Sequence, residues 1–334
     1  MKRIGLRTEV RGLKSRTGGS SRTVVYPQPS VLVPPSCFSQ PSILSPQSSK
    51  ERGFTLVEMV MVIVITGIIG GMVAVFLKAP VQQYVDVARR ADMTDIADTA
   101  LRRVTRDVRL ALPNSVRVAG ACDGTATCFL EFLPALSGGR YRADAASSGA
   151  SAGCGSLAAD VLDFTADTCF EVLGQIPAVV VGNQIVVYNL GIAGADAYAG
   201  KTLATHNRRE VNAVGANSIN ITPDNALPFD SPGHRFHVVT APVSYVCDVA
   251  GTLWRYWGYV IQPAQTSTDS IAELDALIAV QGARARLATS VSGCSFTYDP
   301  LVSARNGLVT MHLAVTEEGE TATLYNAAHV SNQP

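Results

Sequence analysis

The 334-residue chain carries 27 basic and 27 acidic side chains, a formal net charge of zero, and its length allows one large domain or two ordinary ones. The zero hides a division: residues 1–53 hold nine Lys/Arg against two acidic residues, a net +7, and the remainder holds 18 against 25, a net −7. A basic arm followed by an acidic body argues against nucleic acid as a partner.

The arm is poor material for a core. Its stretch "SRTVVYPQPSVLVPPSCFSQPSILSPQSSK" is rich in Ser and Pro, with too few apolar residues in any regular period. Residues 1–53 are therefore expected to be disordered or removed. Next comes "GFTLVEMVMVIVITGIIGGMVAVFLK". Residues 54–77 are apolar or small except for Thr55, Glu58 and Thr66. As a helix they reach about 36 Å, enough to cross a bilayer core. Basic residues crowd before the segment, which puts residue 53 in the cytoplasm and the body outside it. No A-x-A cleavage site follows the apolar run, so the segment is expected to stay with the mature protein. Glu58 is the anomaly. An ionised carboxylate inside a membrane helix costs about 3 kcal/mol, so Glu58 either lies near a hydrated interface or has a cationic partner. A cut after Gly53 would create one, the α-amino group of Phe54.

These residues resemble the N-terminal signature of type IV pilins and of type II secretion pseudopilins. In that family a prepilin peptidase removes a leader ending in Gly, and the new N-terminal Phe is methylated. The Glu five residues in neutralises the N-terminus of a neighbouring subunit. The resemblance implies that Gly53 precedes the cut, Phe54 becomes the first residue and Glu58 is the assembly glutamate. Two departures stand out. A 53-residue leader is long for the family, and no Pro interrupts the apolar run before Pro80. Gly67 and Gly71 form a G-x-x-x-G, a spacing that lets helices approach closely or simply loosens one.

After Pro80 the pattern turns amphipathic. Met93, Ala97, Leu101, Val104, Val108 and Leu112 recur at steps of four and three and mark one apolar helix face. Arg102, Arg103, Arg106, Asp107 and Arg109 occupy most of the rest, a solvated face or a filament contact. The helix is expected to end before Pro113, so that residues 54–112 could form one long helix bent near Pro80.

Beyond it lie short β-branched or aromatic runs between Gly, Pro, Asn and Asp turns: "CFLEFLP", "VLDFT", "NQIVVYNL", "HRFHVVTAPVSYVCD", "TLWRYWGYVIQ" and "GLVTMHLAV". In the last, Val309, Met311, Leu313 and Val315 alternate onto one face. "TEEGE" makes a turn into "TATLYNAAHV", a C-terminal hairpin. "SGGRYRADAASSGASAGCGSLAAD" reads as a long surface loop. Residues 269–280 read as a short helix capped by Ser270. The fold class expected is α+β, a long N-terminal helix laid against antiparallel sheet. The expected divisions are a leader (1–53), a membrane helix (54–77), its amphipathic continuation (78–113) and a β-rich globular domain (114–334).

Of seven cysteines, Cys37 lies in the arm, which leaves Cys122, Cys128, Cys154, Cys169, Cys247 and Cys294. None is spaced C-x-x-C, and no His stands at zinc-finger spacing, so no structural metal is expected. An even set among Gly/Ser-rich loops points to disulfides and an oxidising compartment. Short loops favour Cys122–Cys128 and Cys154–Cys169, leaving Cys247–Cys294, although spacing alone permits fifteen pairings. No H-E-x-x-H, G-x-S-x-G or P-loop occurs, so neither catalytic residues nor a cofactor are expected. His234 and His237, three apart, fall on opposite faces if they share a strand. His312 and His329 read as sheet residues. Asp160 and Asp163 are too few for a calcium loop. Trp254, Tyr256, Trp257 and Tyr259 form the one dense aromatic cluster, core packing by default or an exposed sugar-binding patch.

"PNSVRV", "VLDF", "PVSYVCD…GTLWRYWGY", "VSGCSFTYDP" and the C-terminal hairpin resemble the body of MshO-type minor pilins of mannose-sensitive haemagglutinin pili. The J-type minor pseudopilins share the same plan. Either resemblance implies a structural subunit, not an enzyme. Its partners would be a prepilin peptidase, major and other minor pilins and an inner-membrane assembly platform. The precursor would cross the inner membrane once through residues 54–77, with its body in the periplasm and later on the pilus. A filament-displayed adhesin is the alternative within the same fold.

Overall fold

A computed structural model describes residues 53–124, 126–144, 154, 160–165, 167–199, 206–224, 226–300 and 305–334. The reading of residues 1–52 lies outside these, as does most of the Gly/Ser-rich stretch. The chain divides into two compact units between Ile65 and Thr66. The described part of the first, residues 53–65, is the start of helix α1 (Leu56–Val108). All of its residues are exposed.

The second unit carries the rest of α1 and every strand. Pro80 lies inside the helix, where the Phe76 carbonyl loses its i+4 donor. The apolar periodicity now has its partner: Met93, Ala97, Ala100, Leu101, Val104 and Val108 are buried on one stripe. The helix stops four residues short of Leu112. That residue is buried in the turn that follows, where its N–H donates to the Leu133 carbonyl at 2.7 Å.

Among the described residues fourteen strands follow, all paired antiparallel. Strands β1 (Arg117–Ala119), β2 (Cys128–Phe132), β9 (Val243–Asp248), β10 (Thr252–Trp257) and β11 (Ala283–Ala288) form a five-stranded sheet in that order. Strands β12 (Val291–Asp299), β13 (Asn306–Glu317) and β14 (Glu320–Ser331) form a second sheet. The turn of the β13–β14 hairpin is Glu318–Gly319, both at positive φ, which suits the right-handed strand twist. The apolar stripe of α1 shares one core with Leu130, Phe132 and Tyr245 of the first sheet and with Val309, Met311, Leu313 and Val315 of the second. Helix α2 (Ile271–Val280) covers the other face of the first sheet, where Leu274 packs with Phe129, Val246, Tyr256 and Tyr259. Its N-cap is Ser270, whose side chain accepts from the Glu273 N–H. With both faces covered, all five residues of β2 are buried. The class is α+β, a long apolar-then-amphipathic helix on antiparallel sheet.

The sequence reading missed a third component. Strands β3 (Ala135–Tyr141), β4 (Cys169–Leu173), β5 (Gln184–Val187), β6 (Arg208–Val214), β7 (Ser218–Ile221) and β8 (Arg235–Val239) close into a six-stranded barrel, ordered β3-β4-β7-β6-β5-β8. Phe170, Val172, Ile185, Val211, Ile219, Phe236 and Val238 fill it. Two expectations are corrected here. "SGGRY", read as loop, is most of β3; a Cβ on Gly139 would stand 2.8 Å from the Phe236 ring, so the glycine makes room for a core aromatic. "VLDFT", read as a strand, is a turn. The Asp163 carboxylate accepts from the backbone N–H and the hydroxyl of Thr165, both at 2.9 Å, which bends the chain back.

Candidate functional site

The N-terminal site is built from six residues, 53–58. Gly53, Phe54 and Thr55 precede the helix and all three are exposed. Thr55 starts it. Its hydroxyl oxygen accepts from the Glu58 N–H at 3.2 Å, and its carbonyl accepts from the Met59 N–H at 3.1 Å. T-x-x-E is a helix-start pattern in which the threonine satisfies a donor of the first turn. The carboxylate of Glu58 lies in that first turn, where the exposed N–H groups favour negative charge. Sequence reasoning fixed on Glu58 and passed over Thr55, although the spacing was legible.

The arrangement places the exposed residues Gly53 and Phe54 just ahead of a helix whose first turn carries a carboxylate. No other charged side chain occurs in the apolar part that follows until Lys78. The helix is long and apolar enough to cross a membrane, and its residues from 56 to 77 are all exposed. Residues 54–77 include Phe54, Leu56, Ile63, Val75 and Phe76, each at least 66% exposed, which leaves the segment without a protein core of its own.

The six body cysteines form three disulfides, Cys122–Cys128, Cys154–Cys169 and Cys247–Cys294. Cys247 on β9 and Cys294 on β12 tie the two sheets of the body together. Cys154, Asp160 and Cys169 are the only three metal-type side chains that converge among the described residues. Both sulfurs there are spent in a disulfide, so the group offers no thiolate.

The remaining candidates disperse. The aromatic cluster splits across β10. Trp254 and Tyr256 join the α2 side of the sheet, where Arg284 lies 4.7 Å over Trp254. Trp257 packs toward α1 with Arg255 4.7 Å above it. Tyr256 and Tyr259 are fully buried. One exposed aromatic patch is therefore not formed. His234 lies in a positive-φ turn ahead of β8, so it and His237 do not share a strand. His312 and His329 lie on β13 and β14. Asp160 and Asp163 converge on no further oxygen ligand set among the described residues.

Against this geometry, residues 48–74 match the family model described as the prokaryotic N-terminal methylation motif. No curated protein and no solved structure matches the chain. The motif supports a type IV pilin or pseudopilin subunit, which implies processing by a prepilin peptidase and assembly with other pilins. The apolar helix fits a single-pass anchor of such a subunit.

Proposed function

We propose that the chain is a minor pilin of a mannose-sensitive-haemagglutinin-type pilus, on the resemblance of its body to MshO-type minor pilins. The precursor inserts in the inner membrane through residues 54–77 with its body in the periplasm. A prepilin peptidase cuts between Gly53 and Phe54, and Phe54 is methylated. The carboxylate of Glu58 pairs with the N-terminal amine of a neighbouring subunit as the assembly platform adds the chain to the filament. The observation that supports the pilin part of this reading is the methylation motif set directly on a capped helix whose apolar part, residues 56–77, is exposed. The disulfides fit an oxidising compartment. A J-type pseudopilin is the same device serving a secretion machine, and neighbouring genes separate the two.

The deciding experiment is the mass of the N-terminal peptide of protein recovered from cell envelopes. N-methylated Phe54 is expected as the first residue. An intact arm, or a cut elsewhere, would make residues 54–77 a plain membrane anchor and overturn the reading.

A second reading is favoured by one observation, the barrel inserted between β2 and β9. A closed module carried on a pilin-like body suits a filament-displayed binding domain. Glycan-array binding by the full chain, lost when the barrel is deleted, would support it; binding that survives the deletion would remove it.

A further inference from the structure

Alternation along β5 and β6 sorts their side chains onto two faces. Ile185, Val187 and Val211 fill the barrel. Gln184, Arg208 and Glu210 therefore lie on its outer face, with Gln184 directly opposite Glu210 across the ladder. There they line a groove of about 360 Å³ at the seam between barrel and body. Thr240, just past β8, and Gln281, at the end of α2, close it from the other side. Its size falls within the range of small-ligand sites.

Arg208 is the unusual member. A guanidinium carries five N–H donors. Among the described residues this one makes a single hydrogen bond, to the Ala199 carbonyl at 3.5 Å, and no ion pair. The side chain is half-buried. Burial holds its pKa below the ordinary value, although Asp196 and Glu210 pull in the opposite direction. The neighbouring carboxylates thus do not offset the desolvation of the cation. Donors kept from water without acceptors are the groups a bound ligand satisfies.

The rest of the lining decides the class of ligand. Glu210 stands two residues from Arg208 on the same face of β6, so fixed acceptor and fixed donors come together and the lining has no net positive charge. That disfavours phosphates and other multiply charged anions, which call for several cations. Val260 and Ile261 give a small aliphatic wall. Tyr259 also reaches the groove, but its ring is fully buried and its hydroxyl is bonded to Ser244 at 2.6 Å. No exposed aromatic anchor for a protein partner is formed there. Gln184, Thr240 and Gln281 add groups that both donate and accept. The set matches a ring with hydroxyls on its edge and C–H groups on its face.

We propose that this groove binds a neutral sugar ring. Arg208 donates to its hydroxyl oxygens, Glu210 accepts from its hydroxyls, and Val260 and Ile261 lie against its C–H face. The proposal rests on the second reading above, the displayed binding domain, and puts the site at the seam of barrel and body rather than inside the barrel.

The test titrates the detergent-solubilised full chain, followed by ligand-observed NMR, with methyl glucoside, methyl galactoside and methyl mannoside, each paired with the uronide of the same ring. At least one neutral glycoside is expected to bind saturably, and more tightly than its uronide, whose carboxylate meets Glu210. Arg208→Gln weakens that binding about tenfold. Gln281→Ala removes an exposed side chain and weakens it about threefold. If Arg208→Gln shifts the urea midpoint, Gln281→Ala decides. No saturable binding, binding unchanged in both variants, or a uronide bound more tightly than its neutral partner overturns the proposal. The glycan array separates the site from the reading beneath it. Array binding that survives both substitutions leaves the displayed domain standing with its site elsewhere, whereas no array binding by the full chain sinks both.

Discussion

Phe132 and Val243 lie opposite one another at the adjoining ends of β2 and β9, and the described residues between Pro134 and Pro242 leave the sheet and return between them. The barrel is thus an insertion into an antiparallel pair of the pilin-like body. Ala135 and Val239, paired on β3 and β8, are its first and last strand residues. Leu112 and Leu133 of the body pack with Val186, Ala197, Tyr198 and Val239 of the insertion.

Asn189 is the polar centre of that joint. Its side-chain amide donates to the Pro113 carbonyl at 2.7 Å, and its side-chain oxygen accepts from the Ala197 N–H at 2.8 Å and from Asn207 at 3.1 Å. It is fully buried. Asn189→Ala leaves these partners unsatisfied and is expected to cost about 2–4 kcal/mol. Urea unfolding of the detergent-solubilised full chain measures it. A change below about 0.5 kcal/mol, the range of an ordinary surface substitution, would show that the joint relaxes or takes up water.

Glu131 is almost completely buried, and Arg117 grips it with two nitrogens, at 3.0 and 3.1 Å. Thr268 donates to the same carboxylate at 2.6 Å, and Arg117 lies 3.6 Å over the Tyr198 ring. Arg117→Met strands the carboxylate and is expected to destabilise by about 3–5 kcal/mol. Arg117→Met with Glu131→Met should recover much of that loss. If the double variant is no more stable than the single one, packing rather than an unpaired charge sets the cost.

The Cys247–Cys294 bridge spans 47 residues and joins the two sheets, whereas Cys122–Cys128 spans six. Constraint on the unfolded chain grows with loop length. Replacing the longer pair by Ala should cost about 2–4 kcal/mol, more than replacing the shorter pair. Paired unfolding curves of the two double variants decide it; an equal or reversed order would place the effect in local packing.

The sequence exposed those parts of the fold in which one periodicity dominates. Met93, Ala97, Leu101, Val104 and Val108 stand on one helical stripe, and Val309, Met311, Leu313 and Val315 alternate along β13, because each set faces a single core. The barrel was hidden for a physical reason. Its strands are short, and β3 carries Gly138 and Gly139, which argue for a loop until Phe236 fills the space that a side chain would take. "VLDFT" misled in the opposite direction, since an aspartate that bonds its own turn outweighs apolar neighbours. At the N-terminus, T-x-x-E was legible as a helix start, but the motif's function drew attention to Glu58 alone. The split of the aromatic cluster follows from strand alternation at Trp254, Tyr256 and Trp257; Tyr259, just past the strand, was not open to that rule.

His206 and His237 carry the expected pH dependence. Burial holds both imidazoles below their ordinary value of 6.5, and neighbouring arginines push in the same direction, Arg209 for His206 and Arg235 for His237. For His206 the nearby Asp224, with its carboxylate oxygen 3.1 Å from Nε2, opposes the shift without reversing it. Above pH 6.5 neither the folded nor the unfolded chain protonates these rings, and their full contribution to stability is present. As pH falls below 6.5, the unfolded chain takes up protons that the folded chain resists. Stability therefore declines until the folded values are passed. Melting temperature measured from pH 8 down to pH 5 should fall in the wild-type chain and fall less in His206→Gln/His237→Gln, the difference between the two chains isolating the histidines from titrating carboxylates. Parallel curves for the two chains would mean that these rings are protonated in the fold as readily as in water.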